Sequence, residues 1–278
     1  MRVMRITDAD DPRIEGYRAT RDGALTRSRG TFLAEGRGVV RTAVARGRYA
    51  MRSVLVTEAA WDGVGADIEA ACAARGVDVP VYMAPQGVMD GIVGFHIHRG
   101  CMAEGERGRV RTAAEVIGEL PPDAVIVVTE GVNNHDNVGG IFRTAWALGA
   151  HAVMIDPGTA DPLYRKAIRV SMGGVVVVPW GACGELPQGL EALRAAGFRC
   201  VALTPAPDAV EIGAWSMEAS GHRGPIALVV GAEGAGLSEA TMRACDTRVR
   251  IVMAPGADSL NVATAAGIAL HRVLWARG

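Results

Sequence analysis

The stretch TEGVNNHDNVGGIFRTAWALGA, residues 129 to 150, sets Asn133, Asn134, His135, Asp136 and Asn137 between an apolar run and a helical pattern that carries Arg143. Short polar side chains at such a junction cap the helix, and the unpaired N–H groups of its first turn attract an anion. Asn137 is placed for the cap. Arg143 follows within two helical turns, so it can lean back toward the same end with a planar, two-pronged cation. An anion such as a phosphate is the chemistry that pair would serve. Taken alone, the two residues are more simply read as a plain cap and a surface arginine.

Two further clusters have the same setting. VVGAEGAGLSEATM follows an apolar run, and Gly231, Gly234 and Gly236 would let backbone approach a flat ligand closely. Glu233, the charge inside that loop, would repel a pyrophosphate. The chain has no GKS or GKT and no GxGxxG opening its first strand-to-helix turn, which disfavours nucleoside triphosphates and dinucleotides, and with them a nicotinamide dehydrogenase. VMAPGADSLNVATAAGIAL brings a proline–glycine turn, then Ser259 and Asn261 at the head of a small-residue helix. Ser259 is the expected N-cap, and Ala263, Ala265, Ala266 and Gly267 would let another chain pack closely. A tight turn and a structural helix remain the plain alternatives for these two.

The elements that must position these clusters are legible as a series. From Ala124 the pattern predicts strands at AVIVVTE, HAVMID, GVVVVPW, FRCVALT, PIALVVG and TRVRIVM, separated by helices and closed by SLNVATAAGIALHRVLWAR. Strands apolar throughout and alternating with helices predict a parallel sheet covered on both faces, with ligands beyond the carboxyl ends of the strands. The N-terminal half predicts a small α/β domain: strand and helix in TFLAEGRGVVRTAVARG, strand SVLVTE, helix GADIEAACAARG, strand VPVYMA. Apolar periodicity weakens in CMAEGERGRVRTAAEVIGELPPD, so the division is drawn at 1–105, a linker 106–122, and 123–278.

Composition narrows the partners. The 278 residues have net charge -1, yet residues 1–52 hold 12 arginines against 6 acidic residues. Such a segment points to an anionic partner, RNA first, although a solvated arginine-rich face is the ordinary alternative. Aromatics are 5% of the chain, which argues against recognition mainly by base stacking. The five cysteines lack CxxC spacing and read as reduced core thiols. His96, His98 and Cys101 lack a fourth ligand, so no metal is expected. Ser171 lacks a GxSxG elbow and the chain lacks HExxH, so a hydrolase is not supported. The opening MRVMRITDADDPRIEG is charged where a secretory segment is apolar, and no run approaches the ~18 residues of a membrane span. Cytoplasm is the expected setting.

NVGGIFRTAWALGA, LVVGAEGAGLSE and IVMAPGADSLNVATAAGIAL, in this order, resemble the three signature motifs of the SpoU, or TrmH-like, RNA methyltransferases. The resemblance runs from Ala124 to the C-terminus. It implies an α/β methyltransferase domain with a deep trefoil knot, a homodimer, and methyl transfer from S-adenosylmethionine to a ribose 2′-hydroxyl of tRNA or rRNA. More loosely, TRSRGTFLAEGRGVVRTAVARG is similar to the family's ribosomal-protein-like substrate-binding domain, which would put Arg27, Arg29 and Arg37 near RNA.

By that resemblance Arg143 engages the target ribose and its phosphate, either taking the hydroxyl proton or steadying the oxygen that loses it. Asn137, Ser259 and Asn261 match polar active-site positions. Glu233 matches the glutamate that braces the loops or pairs with an arginine across the dimer. Leu203, Gly231, Ile251 and Leu260 match cofactor-pocket positions. His135 is given no catalytic role; it contacts RNA or sits in solvent. A catalytically inactive RNA-binding scaffold of the same fold is the rival reading.

Overall fold

The computed structural model describes residues 2–21, 23–93, 100–219, 222 and 224–276, which form two compact units. Unit 1 comprises residues 1–109 and 163–177, and unit 2 comprises residues 110–162 and 178–278.

Unit 1 is built on a five-stranded sheet: β1 (Val3–Arg5), β2 (Thr31–Glu35), β3 (Met51–Val56), β4 (Val81–Met83) and β5 (Cys101–Glu106), in the order β1-β4-β3-β5-β2. β5 is antiparallel to both neighbours. It occupies the segment where apolar periodicity weakens and the domain joint is drawn. Gly105 interrupts the pattern because a Cβ there would sit 2.3 Å from the Phe32 ring, so the strand needs a residue without one. The helix Glu58–Arg75 starts at Thr57, whose side chain accepts from Ala60 N, and ends at Gly76 with φ +63°. Ile14, Tyr17, Leu33, Leu55, Met89 and Met102 form the core of this unit.

Residues 163–177 lie in the stretch assigned from sequence to the second domain, yet they pack in unit 1. The helix Arg165–Val170 lies against β2, and Arg165 Nη1 reaches Glu35 Oε2 at 2.5 Å. GVVVVPW, expected as one strand, instead forms a helical turn at Gly174–Val177 followed by a strand from Trp180. Packing overrides the β propensity of the valines. Val175 and Val176 are fully buried, Ser171 Oγ accepts from Val175 N, and Gly173, at φ +87°, fits against Thr42.

Among its described residues unit 2 has seven parallel strands: β6 (Val125–Glu130), β7 (Ala152–Ile155), β8 (Trp180–Ala182), β9 (Arg199–Leu203), β10 (Val210–Glu211), β11 (Ile226–Gly231) and β12 (Thr247–Arg250). Their order is β10-β12-β9-β11-β6-β7-β8. β6 and β11 are buried on both faces up to their last residue, as a sheet covered on two sides requires. The segment expected as a linker contains the helix Ala113–Ile117, started by a reciprocal cap between Thr112 and Glu115. That T-x-x-E signature is visible in the sequence. β10 and the helix Ile212–Ala219, which buries Trp215, have no counterpart in the expected series. Among the described residues no helix is long and apolar enough to cross a membrane.

Candidate active site

The carboxyl ends of β9, β11 and β12 surround a cavity of about 510 Å³. Leu203 and Thr204 line it from the end of β9, Gly231 and Glu233 from the loop after β11, and Ile251 and Met253 from beyond β12. Ser259, Leu260 and Asn261 close it ahead of the C-terminal helix. Leu203, Gly231, Ile251 and Leu260 therefore meet in one place, as do Glu233, Ser259 and Asn261. Gly231 fits only as glycine, because a Cβ there would lie 2.2 Å from the carbonyl carbon of Gly236. The loop doubles back so tightly because Gly236 N donates to Ala232 O, with Gly234 and Gly236 both at positive φ.

Asn261 is the hub of the polar cluster. Its Oδ1 accepts from Ala263 N at 3.0 Å and Thr264 N at 3.2 Å, capping the helix Val262–Trp275. Its Nδ2 donates to Asn137 Oδ1 at 2.8 Å and to Glu233 Oε1 at 3.0 Å. Both amide protons and both oxygen lone pairs are used, which fixes the side chain in one orientation.

The two expected caps are corrected by this geometry. Asn134, not Asn137, caps the helix His135–Leu148, its side chain accepting from Asp136 N. The helix starts earlier than the apolar pattern suggests, so Asn137 falls in its first turn and is buried. Asn261, not Ser259, caps the C-terminal helix, which leaves Ser259 in the cavity wall.

Contacts pair 137 with 261, 140 with 263, and 144 with 267, so these two helices run side by side in the same direction. A Cβ on Gly140 would lie 2.7 Å from Ala263 Cβ, and one on Gly267 2.9 Å from Thr144 Cγ2. Ala263 and Gly267, two of the small residues expected to admit another chain, are thus used within this one. Two helix N-termini converge at the edge of the sheet, both presenting the positive end of a helix dipole.

Arg143 is not brought into the cavity. Six residues of helix turn it to the side away from buried Asn137, leaving it exposed and without a hydrogen-bond or ion-pair partner among the described residues. In unit 1, Arg27 is exposed, Arg29 pairs with Glu15 at 2.6 Å, and Arg37 Nη2 donates to the carbonyl of Ala59 at 3.3 Å. His96 and His98 lie outside the described residues, and Cys101 is fully buried with its thiol pushed up to about 12 by burial. Among the described residues no group of three or more His, Cys, Asp or Glu side chains is arranged to hold a metal.

Sequence reasoning missed Glu130 and Asp156, at the carboxyl ends of β6 and β7. Asp156 is buried and accepts from Gly131 N at 3.0 Å and Thr159 Oγ1 at 2.5 Å. Glu130 accepts from Ser238 and Thr241. Carboxylates at the ends of apolar strands were the available signal.

A covered parallel sheet with a cofactor-sized cavity beyond its carboxyl ends defines the class as a ligand-binding α/β enzyme fold. Residues 124–271 match the model of the SpoU rRNA Methylase family. The chain is 38% identical over 273 residues to an uncharacterised tRNA/rRNA methyltransferase of Mycobacterium tuberculosis, covering 97% of this chain and 91% of the relative. It is 31% identical to the 23S rRNA (guanosine-2'-O-)-methyltransferase RlmB of Ralstonia nicotianae, over 74% of this chain and 80% of that one. Among solved structures, the SpoU methyltransferase AviRb from Streptomyces viridochromogenes, in complex with AdoMet, superimposes with a TM-score of 0.76 at 26% identity, covering 96% of this chain and 99% of that one. The chain belongs to the SpoU rRNA methylase family, and it is an RNA methyltransferase.

Proposed function

We propose that this protein transfers a methyl group from S-adenosylmethionine to a ribose 2′-hydroxyl of tRNA or rRNA. The observation that carries the reading is the junction at Asn261, where the apolar cavity and the two converging helix N-termini share one side chain. The residues present fit the cofactor. The cavity is within the ~300–1,000 Å³ range of small-molecule sites, its walls at Leu203, Ile251 and Leu260 are apolar, and Gly231 lines it with backbone alone. When bound, S-adenosylmethionine supplies an electrophilic methyl carbon.

The chain's own residues do the rest. Leu203, Ile251 and Leu260 grip the adenosine between apolar walls while Gly231 offers backbone hydrogen bonds. Asn137, Glu233 and Asn261 hold the loops in register, and Ser259 orients the ribose from the cavity rim. The helix N-termini and Arg143 clamp the RNA phosphate. By the family resemblance Arg143, which lies outside this cavity on the exposed side of its helix, steadies the oxygen while the proton passes to solvent, because a guanidinium is a strong hydrogen-bond donor and a poor proton acceptor. The name of the Ralstonia relative, which specifies 2'-O-methylation of a 23S rRNA guanosine, supports a ribose hydroxyl as the acceptor.

The resemblance extends the reading to a trefoil knot within residues 123–278, a homodimer, and an RNA substrate-binding role for residues 1–105, with Arg27, Arg29 and Arg37 near the RNA. A cytoplasmic setting accords with five free cysteines. The test is to incubate the protein with labelled S-adenosylmethionine and total tRNA or rRNA, then map 2′-O-methyl sites. Label at a discrete ribose is expected. Cofactor affinity too weak for calorimetry, with RNA binding retained, would instead favour an inactive scaffold.

A further inference from the structure

Glu130 lies outside the cavity wall, yet it meets both ends of the loop that forms one side of it. Its backbone stands in register with Gly231 where β6 pairs with β11. Its carboxylate accepts from Ser238 N at 2.9 Å, Ser238 Oγ at 2.9 Å and Thr241 Oγ1 at 2.7 Å. Between these anchors the chain turns back on itself through the Gly236 N to Ala232 O bond, and Glu233 projects from the turn to Asn261. One residue therefore holds the start of the loop through the sheet and its end through a charge-assisted cluster. Three donors converging on one carboxylate form a stiff anchor, because each bond to an ionised acceptor is stronger than a neutral one.

We infer that Glu130 is a positioning residue for the cofactor, acting through Ser238 to preorganise the backbone from Gly231 to Ser238. The inference rests on the proposed S-adenosylmethionine site and adds to it a residue that touches neither cofactor nor RNA. Cavities formed by glycine-rich backbone have few side chains to hold their shape, so the geometry at Gly231 must be imposed from outside the loop. Without the carboxylate, Ser238 would still cap the helix Glu239–Ala244 by accepting from Thr241 N. The helix would survive while the loop ahead of it loosened.

The experiment compares wild type with Glu130→Gln, Ser238→Ala and the double variant in the full-length protein. Calorimetry measures S-adenosylmethionine and RNA binding separately, and hydrogen exchange follows the loop amides. Loss of hydrogen bonds to a carboxylate should weaken cofactor binding by about tenfold or more in each single variant. The double variant should lose less than the two single losses added together, since both remove the bond between Ser238 Oγ and Glu130. RNA affinity should be unchanged, loop amides should exchange faster, and KM for the cofactor should rise more than kcat falls. A lowered melting temperature with unchanged cofactor affinity would overturn the inference and leave Glu130 as part of the helix cap alone. Should Glu130→Gln fail to fold, Thr241→Val decides instead, because it removes one donor to the carboxylate and leaves the Ser238 cap on Thr241 N in place. Absence of binding by wild type removes both the proposed function and this inference; equal binding by wild type and variants removes only the inference.

Discussion

Asn261 donates to Asn137 at 2.8 Å across 124 residues of sequence, while the oxygen of the same amide caps its own helix. The two halves of that side chain do separate work. One fixes where the C-terminal helix begins, and the other ties that beginning to the first turn of the helix His135–Leu148.

The two roles separate by substitution. Serine at 261 can still cap the helix but is too short to reach Asn137 and Glu233, whereas alanine can do neither. Asn261→Ser should lose only the stability of the bonds to Asn137 and Glu233, and Asn261→Ala should lose about 1 kcal/mol more through the missing cap. Both should lose methyl transfer by about 100-fold or more, since the link that orients the site is gone. Thermal melts and initial rates with RNA check the pair.

Arg143→Lys should be a purely functional lesion. The side chain is exposed and bonds to nothing among the described residues, so stability should stay within about 0.5 kcal/mol of wild type. Lysine keeps the charge but not the planar fork, and turnover should fall by about 100-fold or more with cofactor affinity unchanged. Near-normal single-turnover rates would remove Arg143 from the mechanism.

Gly231→Ala tests the shape of the cavity. The added methyl would lie 2.2 Å from the Gly236 carbonyl carbon and 2.3 Å from Leu237 N, both backbone atoms that cannot rotate aside. Cofactor binding should weaken by about tenfold or more as the loop is pushed into the cavity, measured by equilibrium dialysis. RNA binding should persist.

Burial raises the Glu104 carboxyl above its ordinary value of 4.5, against the smaller opposing effect of Arg52. The folded protein therefore holds this proton more tightly than the unfolded chain. Stability from that difference is full below the ordinary glutamate range and drains as pH rises through the raised value. Glu104→Gln should accordingly raise the melting temperature at pH 7 to 8, with the gain shrinking toward pH 4. A constant difference across that range would contradict the assignment.

Burial also pushes the thiols of Cys183 and Cys245 up to about 12 and that of Cys200 to about 11. Cys183 and Cys245 are partly exposed, so access alone would permit labelling. At pH 8 iodoacetamide should nonetheless modify the native protein slowly and the denatured chain quickly, because the thiolate is the reactive form. Mass spectrometry with and without denaturant reads this directly.

The parallel sheet was legible because β6 and β11 are apolar without alternation, a pattern that helices on both faces allow. Motif order led to Asn137, Glu233 and Asn261, and the structure adds that they share hydrogen bonds. Other features depend on distant partners. Gly174–Val177 has the composition of a strand, and only its burial in unit 1 makes it helical. Cys101–Glu106 has two glutamates and a glycine in six positions, and its place in the sheet depends on β2 and β3. Asn137 looked like a cap because the apolar pattern starts at Val138, whereas backbone helix starts at His135.

The packing of residues 163–177 into unit 1 sets an order of events during synthesis. Glu35 waits for Arg165, 130 residues later, and β2, the edge strand of its sheet, lacks the helix that packs against it until then. The amino-terminal unit cannot be completed on the ribosome before β6 and β7 have already emerged. A nascent chain halted after residue 109 should therefore be protease-sensitive around β2, and one released beyond Val177 should be protected.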